Sequence, residues 1–138
     1  MPKDYMLERV QELSRVLEAI IASKKSHPAR ALELIHEAFS ATKFKDKDVF
    51  NNFSVSELEA FVNKEDIDYR SVDNVIDLLF EEAEIKEDLS DMKDQGLLLE
   101  KIHILITYTA QKEREDKIFS FKRGHQRDRL KKMLGPQP

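Results

Sequence analysis

Apolar residues recur at spacings of three and four along most of this chain and nowhere alternate over a useful length, so the pattern predicts helices and no strands. The clearest stretch runs from Ser26 to Phe39. Ala31, Leu34, Ile35 and Ala38 share one face there, and Pro28 suits a first turn, where its missing N–H would be unpaired anyway. The helix is expected to continue to about Thr42. The preceding segment, 5–23, carries a stripe of Met6, Val10, Leu13, Leu17, Ile20 and Ile21 with Leu7 beside it, and Asp4 is its expected cap. Ser23 to Ser26 form the turn, so the two helices make an antiparallel hairpin.

A second hairpin is predicted further on. Val72, Val75, Ile76, Leu79 and Ala83 form the main stripe of a helix over 72–90, capped by Asp68 or Ser71. Leu78, Ile85 and Leu89 form its second stripe. Leu98, Leu99, Ile102, Leu105 and Ile106 face one way on a helix over 95–112, which 113–116 can extend. Between the hairpins, Phe44, Phe50 and Phe53 are too many aromatics to leave in water, and a short helical turn should fold them onto the core. Ser56 with Glu59 reads as a capping box opening a short helix to Asn63, which turns Leu58, Phe61 and Val62 inward. The polar stretch 64–70 is the expected hinge between the halves. The predicted fold is all-α: two antiparallel helical hairpins, one or two short helices between them, and a basic C-terminal tail. The predicted boundaries are one domain over 1–116 and the tail over 117–138.

Charge is what separates the tail from the body. The net charge is -4 over 138 residues. Residues 1–116 hold 16 basic and 26 acidic side chains, a net -10, whereas 117–138 hold 7 basic and one acidic, a net +6. The tail carries Lys122, Arg123, Arg127, Arg129, Lys131 and Lys132 with Phe119 and Phe121 just upstream, a composition able to bind nucleic-acid phosphates and stack on bases. Its plainer roles are a solubilising end, with 125–134 as a weak helix, or a segment that docks on the acidic body. The acidic run Glu81, Glu82, Glu84, Glu87 and Asp88 reads as a solvated helix face.

Candidate chemistry is sparse. Cysteine is absent, which removes thiolate nucleophiles and metal sites and fits a cytoplasmic protein. The first ten residues lack a signal-peptide pattern, and no run of about 20 apolar residues exists to span a membrane. Two Glu-x-x-His motifs, Glu33 to His36 and Glu100 to His103, have the spacing of ferritin-like di-iron helices. At roughly 100° per residue, however, both glutamates fall nearly opposite their helix's apolar stripe, with the histidines on the flanks. No catalytic residue, metal set or cofactor is therefore assigned.

The first hairpin resembles a tetratricopeptide repeat. Ala31, Ile35 and Ala38 stand at the small, large and small positions of the second helix, and Ala19 and Ala22 stand where the first helix packs against it. The second pair follows the same order through Leu79, Ala83, the Asp91-Met92 turn and the helix over 95–112. Gly96 takes the small position there, one residue out of register. The run Asp4 to Leu13 followed by Ala31 to Ile35 also resembles a family of short, uncharacterised bacterial helical proteins, over roughly residues 4–112. That resemblance implies a tetratricopeptide-like fold and no known activity. The expected function is non-catalytic protein–protein interaction. The alternatives are nucleic-acid association through the tail and a di-metal helical-bundle enzyme. Leu97, Ile104 and Tyr108 form an apolar row beyond what one partner helix needs, and they are the expected interface. A second copy across a two-fold axis is preferred as their cover over the chain's own end folding back through Phe119, Phe121 and Leu130.

Overall fold

The computed structural model describes residues 2–135, with side chains from Glu12 onward. The described residues form helices and no strands, and they fall into two compact units divided in sequence between Asn52 and Phe53. Met6, Leu7 and Val10 lie outside the described side chains. So does Asp4, and the helix it was to cap already begins at Pro2.

In the first unit α1 (Pro2–Ser23) packs against α2 (Pro28–Ala38), and a 3-10 turn (Phe39–Ala41) leads to α3 (Lys47–Asn52). Ala31, Ile35 and Ala38 are buried, as the stripe predicts, and so are Leu13 and Ile20 of α1. Ala19 and Ala22 are exposed, so they are not the positions where the two helices approach closely. Two of the three expected aromatics fold inward here: Phe50 lies 5.3 Å from Phe39 and 5.0 Å from Phe44, ring centre to ring centre, whereas Phe53 is half-buried in the second unit, 5.2 Å from Phe61. Lys47 is buried beside them. Its ammonium sits 5.5 Å from the Phe39 ring centre, where the negative ring face favours a cation, and it donates to Asn51.

The second unit is built on α5 (Tyr69–Asp88) and α6 (Met92–Glu115), which pack along their length. Their buried faces carry Val72, Ile76, Leu79 and Ala83 against Leu98, Ile102 and Leu105. Local chemistry sets the helix ends. Asp68 accepts from the Arg70 amide at 2.8 Å to open α5, and Asp91 accepts from the Asp94 amide to open α6. The preceding helix, α4 (Val55–Glu65), is capped by Ser54 instead of Ser56. The Ser54 hydroxyl accepts from the Glu57 amide at 3.1 Å, and the Glu57 carboxylate accepts from the Ser54 amide at 2.8 Å. Both serines precede a glutamate by three, and the helix takes the earlier pair. The Ser54 bonds hold the Glu57 carboxyl below its ordinary pKa.

α4 packs on α6, so 64–70 is a corner inside this unit and not a hinge between halves. Tyr108 of α6 pins the corner, its hydroxyl donating to the Ile67 carbonyl at 2.7 Å, and Lys112 binds Asp66 beside it. Gly96 has open space where a Cβ would stand, so no helix approaches closely there. The last helix, α7 (Phe121–Leu134), packs on α6 and belongs to the same unit. No described helix is long and apolar enough to cross a membrane.

Ala31 is fully buried. Ala31→Leu should therefore overpack the first unit and lower its stability by about 1–3 kcal/mol in denaturant titration. An unchanged midpoint would show that the α1–α2 contact has room for a larger side chain.

Candidate functional site

The segment expected to be a basic tail is instead a docked helix, with Arg123 buried in its seat and Arg129 partly buried beside it. Arg123 is 4% exposed at its side chain. Its Nε donates to Glu113 Oε1 of α6 at 2.9 Å, and one Nη donates to Glu113 Oε2 at 3.0 Å and to Asp73 Oδ2 of α5 at 3.2 Å. The other Nη donates to Asp73 Oδ1 at 2.5 Å and to Gln126 Oε1. All five guanidinium N–H groups are thereby engaged. Gln126 closes the network by donating from Nε2 to Asp73 at 3.1 Å. Burial works against the Arg123 charge, but the bonds to Glu113 and Asp73 outweigh it and raise the pKa.

Two further cations extend this seam. Arg129 lies 4.6 Å over the Phe80 ring centre and binds Glu81, at 2.9 Å, and Glu84. Lys122 donates to Asp77 at 2.9 Å. Asp73, Asp77, Glu81 and Glu84 recur every three or four residues on α5, so they form one stripe along the α7 seat. Glu81 and Glu82, expected on a solvated face, are buried. Burial pushes the Asp77 carboxyl above its ordinary pKa, and Lys122 pulls the other way.

Because Arg123, Gln126 and Leu130 point inward, Phe121 points outward, about 160° around the helix from Arg123 at 100° per residue. Local geometry exposes Phe119 as well. α6 ends in a turn where the Lys117 amide bonds the Arg114 carbonyl and the Ile118 amide bonds the Glu113 carbonyl. Lys117 holds φ 58 there, the left-handed conformation usually given to glycine. The chain then runs extended to Ser120, whose hydroxyl caps α7 by accepting from the Arg123 amide. Phe119 and Phe121 are 81% and 78% exposed and meet edge to face, ring centres 5.0 Å apart. With Ile118, Arg114, His125 and Arg127 they line an open cleft of about 390 Å³.

The structure thus divides the six basic candidates. Arg123, Arg129 and Lys122 are engaged with acids of the same unit, whereas Arg127, Lys131 and Lys132 face water and form no ion pair among the described residues. The row Leu97, Ile104 and Tyr108 is not one open face. Leu97 is half exposed, but Ile104 is partly buried and Tyr108 is buried, because α4 lies against that end of α6. Ile104 and Tyr108 share a small cleft with Glu59 and Asn63 of α4. Of the tail residues expected to fold back, only Leu130 is buried. The Glu-x-x-His residues are exposed. Glu33 binds Arg30 at 3.0 Å, and His36 lies 3.3 Å from Asp48. Among the described residues no group of three or more His, Asp or Glu side chains is placed to hold a metal ion. Compared with known family models, curated proteins and solved structures, the chain matches none.

Removing the Arg123 head group strands two mostly buried carboxylates. Arg123→Ala should cost about 3–5 kcal/mol of unfolding free energy, measured by denaturant titration. A loss below about 1 kcal/mol would show that water solvates Asp73 and Glu113. Asp77 behaves oppositely. Its folded pKa lies above its unfolded one, so its charge opposes folding at neutral pH and that burden lifts as pH falls through the raised value. Asp77→Asn should match or exceed the parent stability at pH 7, and it should flatten the part of the stability–pH curve just above pH ~4. A clear loss at pH 7 would mean that the Lys122 pair outweighs the burial.

Proposed function

We propose that this chain is a non-catalytic protein-interaction module that presents the Phe119–Phe121 corner to its partner. One observation carries the reading: two adjacent phenylalanines stand about four-fifths exposed in a segment whose arginines Arg123 and Arg129 are engaged inside. Large aromatic side chains that gather in a solvent-facing cluster are the usual anchors of protein interfaces. Arg114 and Arg127 rim the cleft and supply polar contacts around an apolar centre. The docked Arg123 network holds α7, and with it Phe121, on its seat.

Nucleic-acid binding by the C-terminal segment is the weaker reading. Of its six basic candidates Arg127, Lys131 and Lys132 alone form no ion pair among the described residues, on a chain whose residues 1–116 carry a net -10. The tetratricopeptide likeness is supported by burial of Ala31, Ile35 and Ala38. It is opposed by the exposed Ala19 and Ala22 and by the open space at Gly96.

Both phenylalanines are surface residues, so replacing them together with serine should change stability by no more than about 1 kcal/mol. The same variant should lose the partners that the parent chain retains in affinity capture from its source cells. Capture of an identical set by both proteins would overturn the assignment of the corner.

A further inference from the structure

The C-terminal helix is attached to its unit in an unusual way. Its buried positions are Arg123, Gln126 and Leu130, so a single apolar side chain and a set of ion pairs hold it. The acids on α5 and the cations on α7 are complementary in charge and in spacing. A second copy of α7 offers the same groups at the same spacing, and nothing in these contacts requires the two helices to belong to one chain. The connection allows it. Residues 116–120 contain neither glycine nor proline, and Lys117 holds a left-handed conformation that an extended or helical path would relieve. Of the two exposed phenylalanines, Phe119 lies in that connection and Phe121 directly follows it.

We propose that α7 is exchanged between two copies of this chain. Each copy's Arg123 and Arg129 seat on the other copy's Asp73, Glu113, Glu81 and Glu84, and the two Phe119–Phe121 corners cover one another at the junction. Exchange preserves the contacts that α7 makes with its seat and gives up the turn bonds at Lys117 and Ile118, so the balance is set by what the connection gains against those bonds. That gain is the burial of four aromatic rings and the release of two left-handed lysines. The inference rests on reading the corner as an interface and names its partner as this chain itself. At low concentration the closed form wins, because a short connection holds α7 near its seat at an effective concentration of about 1 mM.

The chain has no cysteine, which makes the test direct. Asp77→Cys is placed in one preparation and Lys122→Cys in another, and the two are mixed and treated with a short bis-maleimide. In the exchanged dimer residue 122 of one copy lies beside residue 77 of the other, and mixed cross-linked dimers are expected below about 1 mM protein. They should form faster at higher salt, which weakens the partly exposed Lys122 and Arg129 pairs and frees α7 sooner. Phe119→Ser with Phe121→Ser in both preparations should raise the concentration needed on the order of a hundredfold. The doubly substituted chain, with both cysteines, reports the closed form by cross-linking within itself. Internal cross-links in that chain without mixed dimers would overturn the exchange. The partner-capture comparison with the serine variant is scored on other proteins, so the two readings fail separately.

Discussion

A guanidinium with all five N–H groups engaged governs the second unit of this protein. Arg123 reaches Glu113 on α6 and Asp73 on α5, so one side chain joins three helices. Taking these ions out of water is unfavourable unless the geometry is good and the remaining donors are met. Both conditions hold, and Gln126 supplies the last acceptor. Such a network admits few alternatives. Rotating α7 by one residue would strand Arg123 and both carboxylates, so the ions set the helix's orientation more tightly than Leu130 alone could.

That orientation has a consequence for the surface. A helix that turns Arg123 and Arg129 toward its seat must turn something else outward, and here it is Phe121, with Phe119 beside it. An ordinary amphipathic helix would bury the rings and solvate the cations. The acidic stripe on α5 reverses the arrangement, because Asp73, Asp77, Glu81 and Glu84 offer α7 charges where an apolar groove would have offered contact area. The exposed corner and the buried network thus have one cause.

The other surplus of apolar surface is resolved within the unit. α6 has apolar residues around much of its circumference, more than α5 can cover. α4 takes up part of the remainder, and the Tyr108 bond to Ile67 fixes the corner that carries α4 back to it. Burial raises the Tyr108 pKa, and its proton is committed to that carbonyl. What looked like an open row at Leu97, Ile104 and Tyr108 therefore has a cover from the same chain over most of its length.

Helices and their approximate ends were legible in the residues, because periodicity, caps and turns act within a few positions of one another. The stripe of Ala31, Ile35 and Ala38, the inward Phe44 and Phe50, Asp68 as one of two candidate caps of α5 and the helical C-terminal segment all follow from such local rules. The charge contrast between body and C-terminal segment was equally plain, and docking on the acidic body was among the roles it allowed. Which face each helix turns to its neighbours was not legible. Arg123 meets Asp73 across 50 positions of sequence, and Tyr108 meets Ile67 across 41. The spacing of acids on α5 matches the spacing of cations on α7, but either set alone reads as a solvated face. Only the tertiary structure brings them together and thereby decides that Arg123 is core and that Phe119 and Phe121 are surface. Burial is a property of pairs of elements, and periodicity reports on one element at a time.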